Sequence, residues 1–177
     1  DSAAVGTDNT ASGVGSSALG NANEASGAYS NAVGYSNEVT GIESSALGSN
    51  NIADADFSTA VGNANQALGF ESSAVGSGNQ ALGNNSSAFG NGNNAIGDNS
   101  SAFGNSNQAL GNNSSAVGNI SVAMGESSSA NGVGASAIGN GSSAMGGALT
   151  DTSTFDPSQA QTTLSGRVIE FDQTTGT

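Results

Sequence analysis

A glycine recurs every seven residues along most of this chain, and this spacing is the feature that most limits its fold. The repeated unit is x-Ala-φ-Gly, in which φ is usually apolar, as in Ser-Ser-Ala-Phe-Gly at 100–104. The glycines run from Gly6 to Gly146, and the one slot without glycine is Ala55. A period kept over this length is typical of a stacked repeat, in which each copy packs against its neighbours.

The φ residues show that the true repeat has fourteen residues, because alternate copies differ. The first series is mostly apolar along its length: Val5, Leu19, Val33, Leu47, Val61, Val75, Phe89, Phe103, Val117, Asn131 and Met145. The second series is polar at first and then apolar: Ser12, Ser26, Thr40, Asp54, Leu68, Leu82, Ile96, Leu110, Met124 and Ile138. We interpret the change near residue 60 as a weaker core on one side of the first four repeats, or as a different use of that face.

Gly, Asn and Ser between the apolar residues predict short strands and tight turns rather than a coiled coil. Each fourteen-residue rung then contains two strands and two corners, and each strand pairs with its equivalent one rung later. The predicted fold is all-β: a parallel β-roll, or β-solenoid, with two parallel sheets back to back. Because rungs stack about 4.8 Å apart, about ten of them form a rod roughly 50 Å long.

Each slot of the repeat has an expected role. Gly supplies positive φ at the corners, and Asn84, Asn85, Asn112 and Asn113 tolerate left-handed backbone and can form ladders between rungs. We expect a core of Ala plus one medium side chain per strand. Such a core is small, so self-association is expected, with three rolls side by side burying the Ala face of each.

The chain divides into two parts by its pattern, the repeats at 1–148 and a tail at 149–177. The segment from Thr162 to Asp172 predicts one or two strands, with Ile169 and Phe171 on one face. We expect this tail to cap the roll, to connect it to another segment or to act as an inter-subunit strand.

Composition excludes several classes of function. The net charge is −13, the only basic residue is Arg167, and Lys, His and Cys are absent. A basic footprint for nucleic acid or a polybasic membrane anchor is therefore missing, and a Ser-His-Asp triad, a Schiff-base lysine or a His-ligated zinc site cannot form within this chain. No stretch is apolar for long enough to span a bilayer. We predict a protein without enzymatic activity, cofactor or metal.

Acidic residues offer two weaker candidates for chemistry. Asp54 and Asp56 are candidate ligands of a cation, although two carboxylates provide fewer ligands than calcium takes; we favour a solvated corner in which Phe57 fills space. Glu24 and Glu38 lie one rung apart and should stack on one face, where we expect a solvated edge rather than an acid/base pair.

The stretch 121–132, Ser-Val-Ala-Met-Gly-Glu-Ser-Ser-Ser-Ala-Asn-Gly, resembles the head repeat of trimeric autotransporter adhesins, whose pattern is S-V-A-I-G-x-x-S-x-A-x-G. The resemblance covers about residues 1–147, with looser copies at 73–76 and 136–139. The second slot of the pattern is Val at Val122 and mostly Ser, Gln or Glu elsewhere. The structural motif residues are Gly76, Gly90, Gly104, Gly118, Gly125, Val122, Ala123 and Met124.

The resemblance implies a left-handed parallel β-roll that forms a homotrimer. Such heads stand on bacterial surfaces on coiled-coil stalks, anchored in the outer membrane through other parts of the protein, and bind matrix proteins, glycans, cells or solid surfaces. The start at Asp1 rather than Met is expected of a processed or excised form. The alternative is a structural subunit of an extracellular filament or phage-type tail fibre, which polymerises through solenoid ends and the C-terminal strand. The residues leave the ligand-binding face open.

Overall fold

The protein is a parallel β-solenoid with about ten turns of fourteen residues, as the glycine spacing predicts. The computed structural model describes residues 1–147 and the backbone of three short strands, Thr150–Asp151, Thr162–Leu164 and Arg167–Ile169. These residues include two long parallel sheets and no helix. The predicted all-β class and the two-strand rung are therefore confirmed.

The first sheet is built from the longer strand of each rung. Its strands are Ala3–Thr7, Ser17–Asn21, Asn31–Tyr35, Ser45–Ser49, Thr59–Asn63, Ser73–Ser77, Ser87–Asn91, Ser101–Asn105, Ser115–Asn119, Ser129–Val133 and Ser143–Met145. The second sheet is built from the two-residue strand of each rung. Its strands are Thr10–Ala11, Glu24–Ala25, Glu38–Val39, Ile52–Ala53, Gln66–Ala67, Gln80–Ala81, Asn94–Ala95, Gln108–Ala109, Val122–Ala123, Ser136–Ala137 and Thr150–Asp151.

Each residue pairs with the residue fourteen positions later, so identical slots stack in straight rows. Gly76 pairs with Gly90, Gly90 with Gly104, and Gly104 with Gly118. The corner between a long strand and the following short strand is called the first corner, and the corner after the short strand is called the second corner. The surface of the solenoid therefore consists of ladders of equivalent residues.

Two short segments extend into the predicted tail. Thr150–Asp151 continues the second sheet by pairing with Ser136–Ala137 in the same fourteen-residue register. Thr162–Leu164 and Arg167–Ile169 form an antiparallel hairpin, in agreement with the strands predicted there. Phe171 lies outside the described residues. The division at 148 and the role of the tail as cap, connector or inter-subunit strand stay predictions.

The core differs from the one expected. It consists of Ala from both sheets, with Val39 in place of one of them. The φ side chains point outward; Leu47 is 50% exposed and Met124 is 48% exposed. The reason is the alternation of a β-strand, in which neighbouring residues such as Ala102 and Phe103 face opposite sides. Placing both Ala and φ in the core was therefore wrong.

The same alternation corrects the predicted contact face between chains. Ala in both sheets is already buried inside a single solenoid, with Ala88 and Ala95 fully inaccessible. No Ala face is left for a neighbouring copy along these sheets. Any association of three rolls has to use the outward φ residues or the corners instead.

A ladder of buried Asn fills the first corner and was not predicted from the sequence. Asn93 donates its side-chain amide to Asn79 Oδ1 (2.9 Å), to Phe89 O (2.9 Å) and to Gly104 O (2.8 Å). Asn93 Oδ1 accepts in turn from the backbone and side-chain amides of Asn107. The ladder consists of Asn9, Asn23, Asn37, Asn51, Asn65, Asn79, Asn93 and Asn107, and Ser121 continues it. Each Asn from Asn23 to Asn107 satisfies polar groups of three rungs, which is the condition for burying them.

The second corner is filled by a row of buried Ser, one in each rung from Ser16 to Ser142. Ser30 donates its hydroxyl to Gly27 O at 2.7 Å. Most of the later members have no hydrogen-bond partner for Oγ: Ser58, Ser72, Ser86, Ser100, Ser114, Ser128 and Ser142. The two corners therefore contribute unequally: a continuous ladder of buried side chains joins the rungs at the first corner, whereas most of the buried Ser hydroxyls at the second corner join none.

Glycine is required in the two series for different reasons. Gly104 has φ +119°, and a Cβ there would lie 2.1 Å from Gly118 O. Gly111 and Gly125 have no positive φ, but a Cβ at either would also lie 2.1 Å from the carbonyl oxygen of the next glycine in its row. The expected positive φ is thus confirmed for the first series only. Close stacking of the backbone explains the second.

Candidate binding surface

The outer face of the first sheet is uncharged from Ala3 to Met145. Its strands contain no Asp, Glu, Lys or Arg. The φ residues of the first series form a central row along this face, bordered by rows of mostly Ser and Asn. Phe89 and Phe103 stack within the row, with ring centroids 5.2 Å apart and nearly parallel planes. This face is an apolar ridge, interrupted at Asn131, with a mostly polar and uncharged border.

The outer face of the second sheet has two different halves. In its first rungs it presents Glu24, Glu38 and Asp54, together with Ser and Thr. From Gln66 to Ile138 it presents apolar φ residues beside Gln, Asn, Val or Ser, and no charge. The change near residue 60 therefore concerns the outer surface. The proposed weaker core is wrong, because the Ala core continues unchanged through these rungs.

Glu24 and Glu38 are paired residues on neighbouring strands of the second sheet, and both are exposed. The predicted stacking on one face is confirmed. No third acid of the described chain occupies the same row, because the next residue in it is Ile52. The arrangement is a solvated acidic edge.

The second corner carries most of the other acids of the solenoid: Glu43, Asp56, Glu71, Asp98 and Glu126. Several of them accept hydrogen bonds from the preceding rung. Asp98 Oδ1 accepts from the backbone N–H of Asn84 at 2.8 Å, and Asn112 Oδ1 accepts from Asp98 N–H at 3.0 Å. Asn85 and Asn113 adopt left-handed backbone at this corner. The predicted left-handed backbone is confirmed for Asn85 and Asn113, and the predicted contact between rungs is confirmed for Asn84 and Asn112, whose Oδ1 atoms accept from backbone N–H groups of the preceding rung.

Asp54 and Asp56 each have a protein donor. Thr40 donates its hydroxyl to Asp54 Oδ1, and the backbone N–H of Ile42 donates to Asp56 Oδ1 at 2.8 Å. Phe57 lies on the surface rather than filling interior space, and it contacts Phe70 edge to face. Within the described part of the chain, no group of three or more His, Cys, Asp or Glu residues could hold a metal ion.

The motif residues occupy regular positions of the solenoid. Val122 is half-buried on the second sheet, paired with Gln108 and Ser136. Ala123 is buried in the core and Met124 points outward. Gly125 stacks closely on Gly139. Val122, Ala123, Met124 and Gly125 each take the position that their slot has in the other rungs, so the motif specifies a fold rather than a pocket.

The outward direction of the φ rows and the Asn ladder were not predicted, although the sequence contains a signal for each. Ala and φ are neighbours in every strand, which places them on opposite faces. Asn recurs fourteen residues apart from Asn9 to Asn107, and a polar residue held at one slot of a solenoid indicates an inward ladder. In the residues that the structure describes there is no helix that could cross a membrane.

Comparison with known families gives one result for almost the whole solenoid. The YadA head domain repeat matches residues 1–23, 11–37, 40–65, 67–93, 95–119 and 121–147. No curated protein matches the chain. The matched segments follow the rungs described above, and they cover more than half of the chain. The chain therefore belongs to the YadA head-repeat family, the heads of trimeric autotransporter adhesins, which are non-enzymatic proteins exposed on bacterial surfaces.

Proposed function

We propose that this chain is the head of an adhesin: a homotrimeric rod that holds extracellular matrix proteins, glycans, cells or solid surfaces through repeated polar and apolar ladders. The observation that carries the proposal is the uncharged apolar ridge along the first sheet. It runs the length of the solenoid in a chain of net charge −13. An uncharged apolar face can pack against the same face of another copy of the chain without bringing like charges together.

Charge favours the first sheet as the trimer contact, because of the two long sheets it is the one whose strands contain no Asp or Glu along the whole solenoid. Identical acidic chains repel each other, so a close contact between copies has to avoid the acids. The second corner, with Asp98 and Glu126, and the first half of the second sheet, with Glu24 and Glu38, would bring like charges together. The first sheet brings Val, Leu and Phe together, and their burial is favourable by about 25 cal/mol per Å² of apolar surface.

The working surface is then the second sheet and the corners, which face away from the partner chains. Each ladder repeats one slot of the rung at roughly 4.8 Å spacing, often with chemically similar side chains, and a trimer presents each ladder three times. Many weak contacts of one kind give avidity when the ligand is itself extended or immobile. This matches an adhesin at the cell surface better than a binding site for a small molecule.

The proposal is tested by attachment of particles that carry the purified chain. Beads coated with the chain are passed under flow over immobilised matrix proteins, a glycan panel and bare polystyrene, with beads coated with a non-repeat protein of similar charge as the control. Retention on at least one of these surfaces above the control supports the adhesin. Retention equal to the control on all of them contradicts it.

The alternative, a filament or fibre subunit, predicts a different solution behaviour. Electron microscopy of the chain over a wide concentration range distinguishes the two. Closed particles of constant size support the head, whereas fibres that lengthen with concentration support polymerisation through the solenoid ends. Removing residues 152–177 and repeating the measurement identifies whether the tail takes part.

A further inference from the structure

We propose that an exposed aromatic patch on the second corner binds an extended segment of a partner protein that carries Arg at positions i and i+3. The patch, called the aromatic–acidic patch, consists of Tyr29, Glu43, Phe57, Phe70 and Glu71. This inference deepens the proposed adhesin function by naming a class of partner. Its test uses a peptide in solution, so it can fail while surface attachment and trimer formation stand.

Four members of the patch occupy one slot in four successive rungs. Tyr29, Glu43, Phe57 and Glu71 are fourteen residues apart, and each donates its backbone N–H to the rung before, as Phe57 does to Ile42 O at 2.9 Å. The row therefore alternates aromatic ring, carboxylate, ring, carboxylate. Phe70 stands beside it and contacts Phe57 edge to face, with ring centroids 5.6 Å apart.

The aromatic side chains of the patch are open to solvent although they are large. Tyr29 is 60% exposed, and Phe57 and Phe70 are each more than 40% exposed. The Ala core of these rungs is complete without them. Single exposed aromatics are ordinary on protein surfaces, but an aligned group of them rimmed by charge is typical of a docking surface.

The slot itself makes these residue types unexpected. Its backbone is left-handed, with φ of 59° at Tyr29, 53° at Glu43 and 59° at Phe57. The other rungs place small residues or Asn there: Gly15, Asn85, Asn99, Asn113, Ser127 and Gly141. Asn and Gly are the residues that accept this conformation readily. Tyr29, Glu43 and Phe57 therefore adopt a backbone conformation that their residue types disfavour. They lie in the one part of the row where rings and carboxylates alternate.

Charge specifies what the patch can hold. Residues 1–147 contain no Lys, Arg or His, so no basic side chain of the solenoid can neutralise Glu43 and Glu71. A guanidinium group stacks on an aromatic face and also pairs with a carboxylate through two hydrogen bonds. A second copy of this chain offers Arg167 alone, so it cannot supply two such groups in sequence. The occupant is therefore a segment of another protein.

The distance between the two carboxylates along the row determines which spacing of Arg residues in the partner can reach both. Glu43 and Glu71 are two rungs apart, which is roughly 9.6 Å along the solenoid. Three residues of extended polypeptide span about 10 Å. In the polyproline II form of an extended segment, which makes one turn in three residues at about 3.1 Å per residue, Arg side chains at i and i+3 lie on the same side. They therefore reach both carboxylates and enclose the ring of Phe57 between them.

The test is the binding of two fluorescent nonapeptides of the same composition, measured by anisotropy with the full chain. One has Arg at positions 2, 5 and 8 among Ser and Gly, and the other has its three Arg in succession. We expect the spaced peptide to bind at least about fivefold more tightly, since only it matches the row. Absence of measurable binding, or equal binding of the two peptides, overturns the proposal.

The variant that tests the patch is chosen so that the solenoid should still fold. Tyr29→Asn, Glu43→Asn, Phe57→Asn and Glu71→Asn together give these rungs the residue that Asn85 and Asn99 already place in the slot. We expect binding of the spaced peptide to fall roughly tenfold or more, while the unfolding temperature stays equal or rises. The control is Asp98→Asn with Glu126→Asn, which removes an equal number of negative charges from the same corner outside the patch and should leave binding nearly unchanged. An equal loss in the control identifies general charge attraction and overturns the patch.

Discussion

Asn79 donates its side-chain amide to Asn65 Oδ1 at 2.9 Å, although the two residues lie fourteen positions apart in the chain. The same amide donates to Val75 O and to Gly90 O, which belongs to the following rung. One buried side chain thus joins three rungs. Repeated through the first corner, this contact gives the narrow Ala core a polar support that runs parallel to the solenoid axis.

Removal of one ladder member is expected to destabilise the solenoid strongly. Asn79→Ala leaves Gly90 O without its amide donor and the backbone N–H of Asn93 without its acceptor. Buried groups left without partners each cost about 1–3 kcal/mol, so a loss of about 3 kcal/mol or more is expected in the urea-induced unfolding transition. Asn79→Ser should lose less, because Ser121 occupies the ladder naturally and donates to Gly132 O at 2.8 Å. A midpoint unchanged in Asn79→Ala would refute the ladder's role.

The buried Ser row predicts the opposite result at the other corner. Ser86 is buried, and its Oγ has no hydrogen-bond partner. Replacing an unpaired buried hydroxyl by a methyl group removes a desolvation penalty. Ser86→Ala should therefore leave the unfolding midpoint unchanged or raise it. A loss comparable to that of Asn79→Ala would show that the hydroxyl is paired in solution.

The two uses of glycine predict different sensitivities to a single methyl group. In Gly104→Ala the new Cβ would lie 2.1 Å from Gly118 O, in backbone that L-residues rarely adopt. Gly78 also has positive φ, but a Cβ there meets nothing within 4 Å. Circular dichroism and thermal unfolding should show a large loss for Gly104→Ala and about 1 kcal/mol for Gly78→Ala. Equal effects would contradict close stacking of the glycine rows.

Ile120 is the clearest candidate for a stabilising change. It is 60% exposed and β-branched, yet it has φ 57° at the first corner. Left-handed backbone is disfavoured for such a residue and accepted by Asn, as at Asn50 in the same row. Ile120→Asn should raise the stability by about 0.5–1 kcal/mol. A lower unfolding temperature would indicate that the Ile side chain has a contact in the assembled protein.

The fold could be predicted from the sequence because the glycine spacing leaves few alternatives. Two strands per fourteen residues, parallel stacking and the register of Gly90 over Gly104 all follow from one period. The assignment of inside and outside failed for Phe103 because apolarity was given more weight than strand alternation. Alternation decides here, since the space between the two sheets is filled by Ala, with Val39 at one position.

The working surface was less predictable than the fold. Each ladder is made of residues fourteen apart, and its meaning depends on which ladders lie side by side. Tyr29 and Glu43 gain significance only once the left-handed backbone of their slot is known, and a period alone does not give φ. The handedness of the coil and the number of chains in the assembly likewise follow from the family rather than from the spacing, and they stay predictions.

The outer face of the first sheet is the basis of the proposed assembly, and its role is tested by the mass of the chain in solution. Sedimentation equilibrium is measured for the natural chain and for two double variants, Phe89→Asp with Phe103→Asp on the first sheet and Leu82→Asp with Ile96→Asp on the second. All four side chains point outward, so circular dichroism should show the solenoid intact in both. We expect a mass of three times 16.8 kDa for the natural chain and the second-sheet variant, and of 16.8 kDa for the first-sheet variant. A monomeric natural chain would contradict the proposed trimer. A first-sheet variant that stays trimeric, together with a second-sheet variant that becomes monomeric, would contradict the proposed contact face.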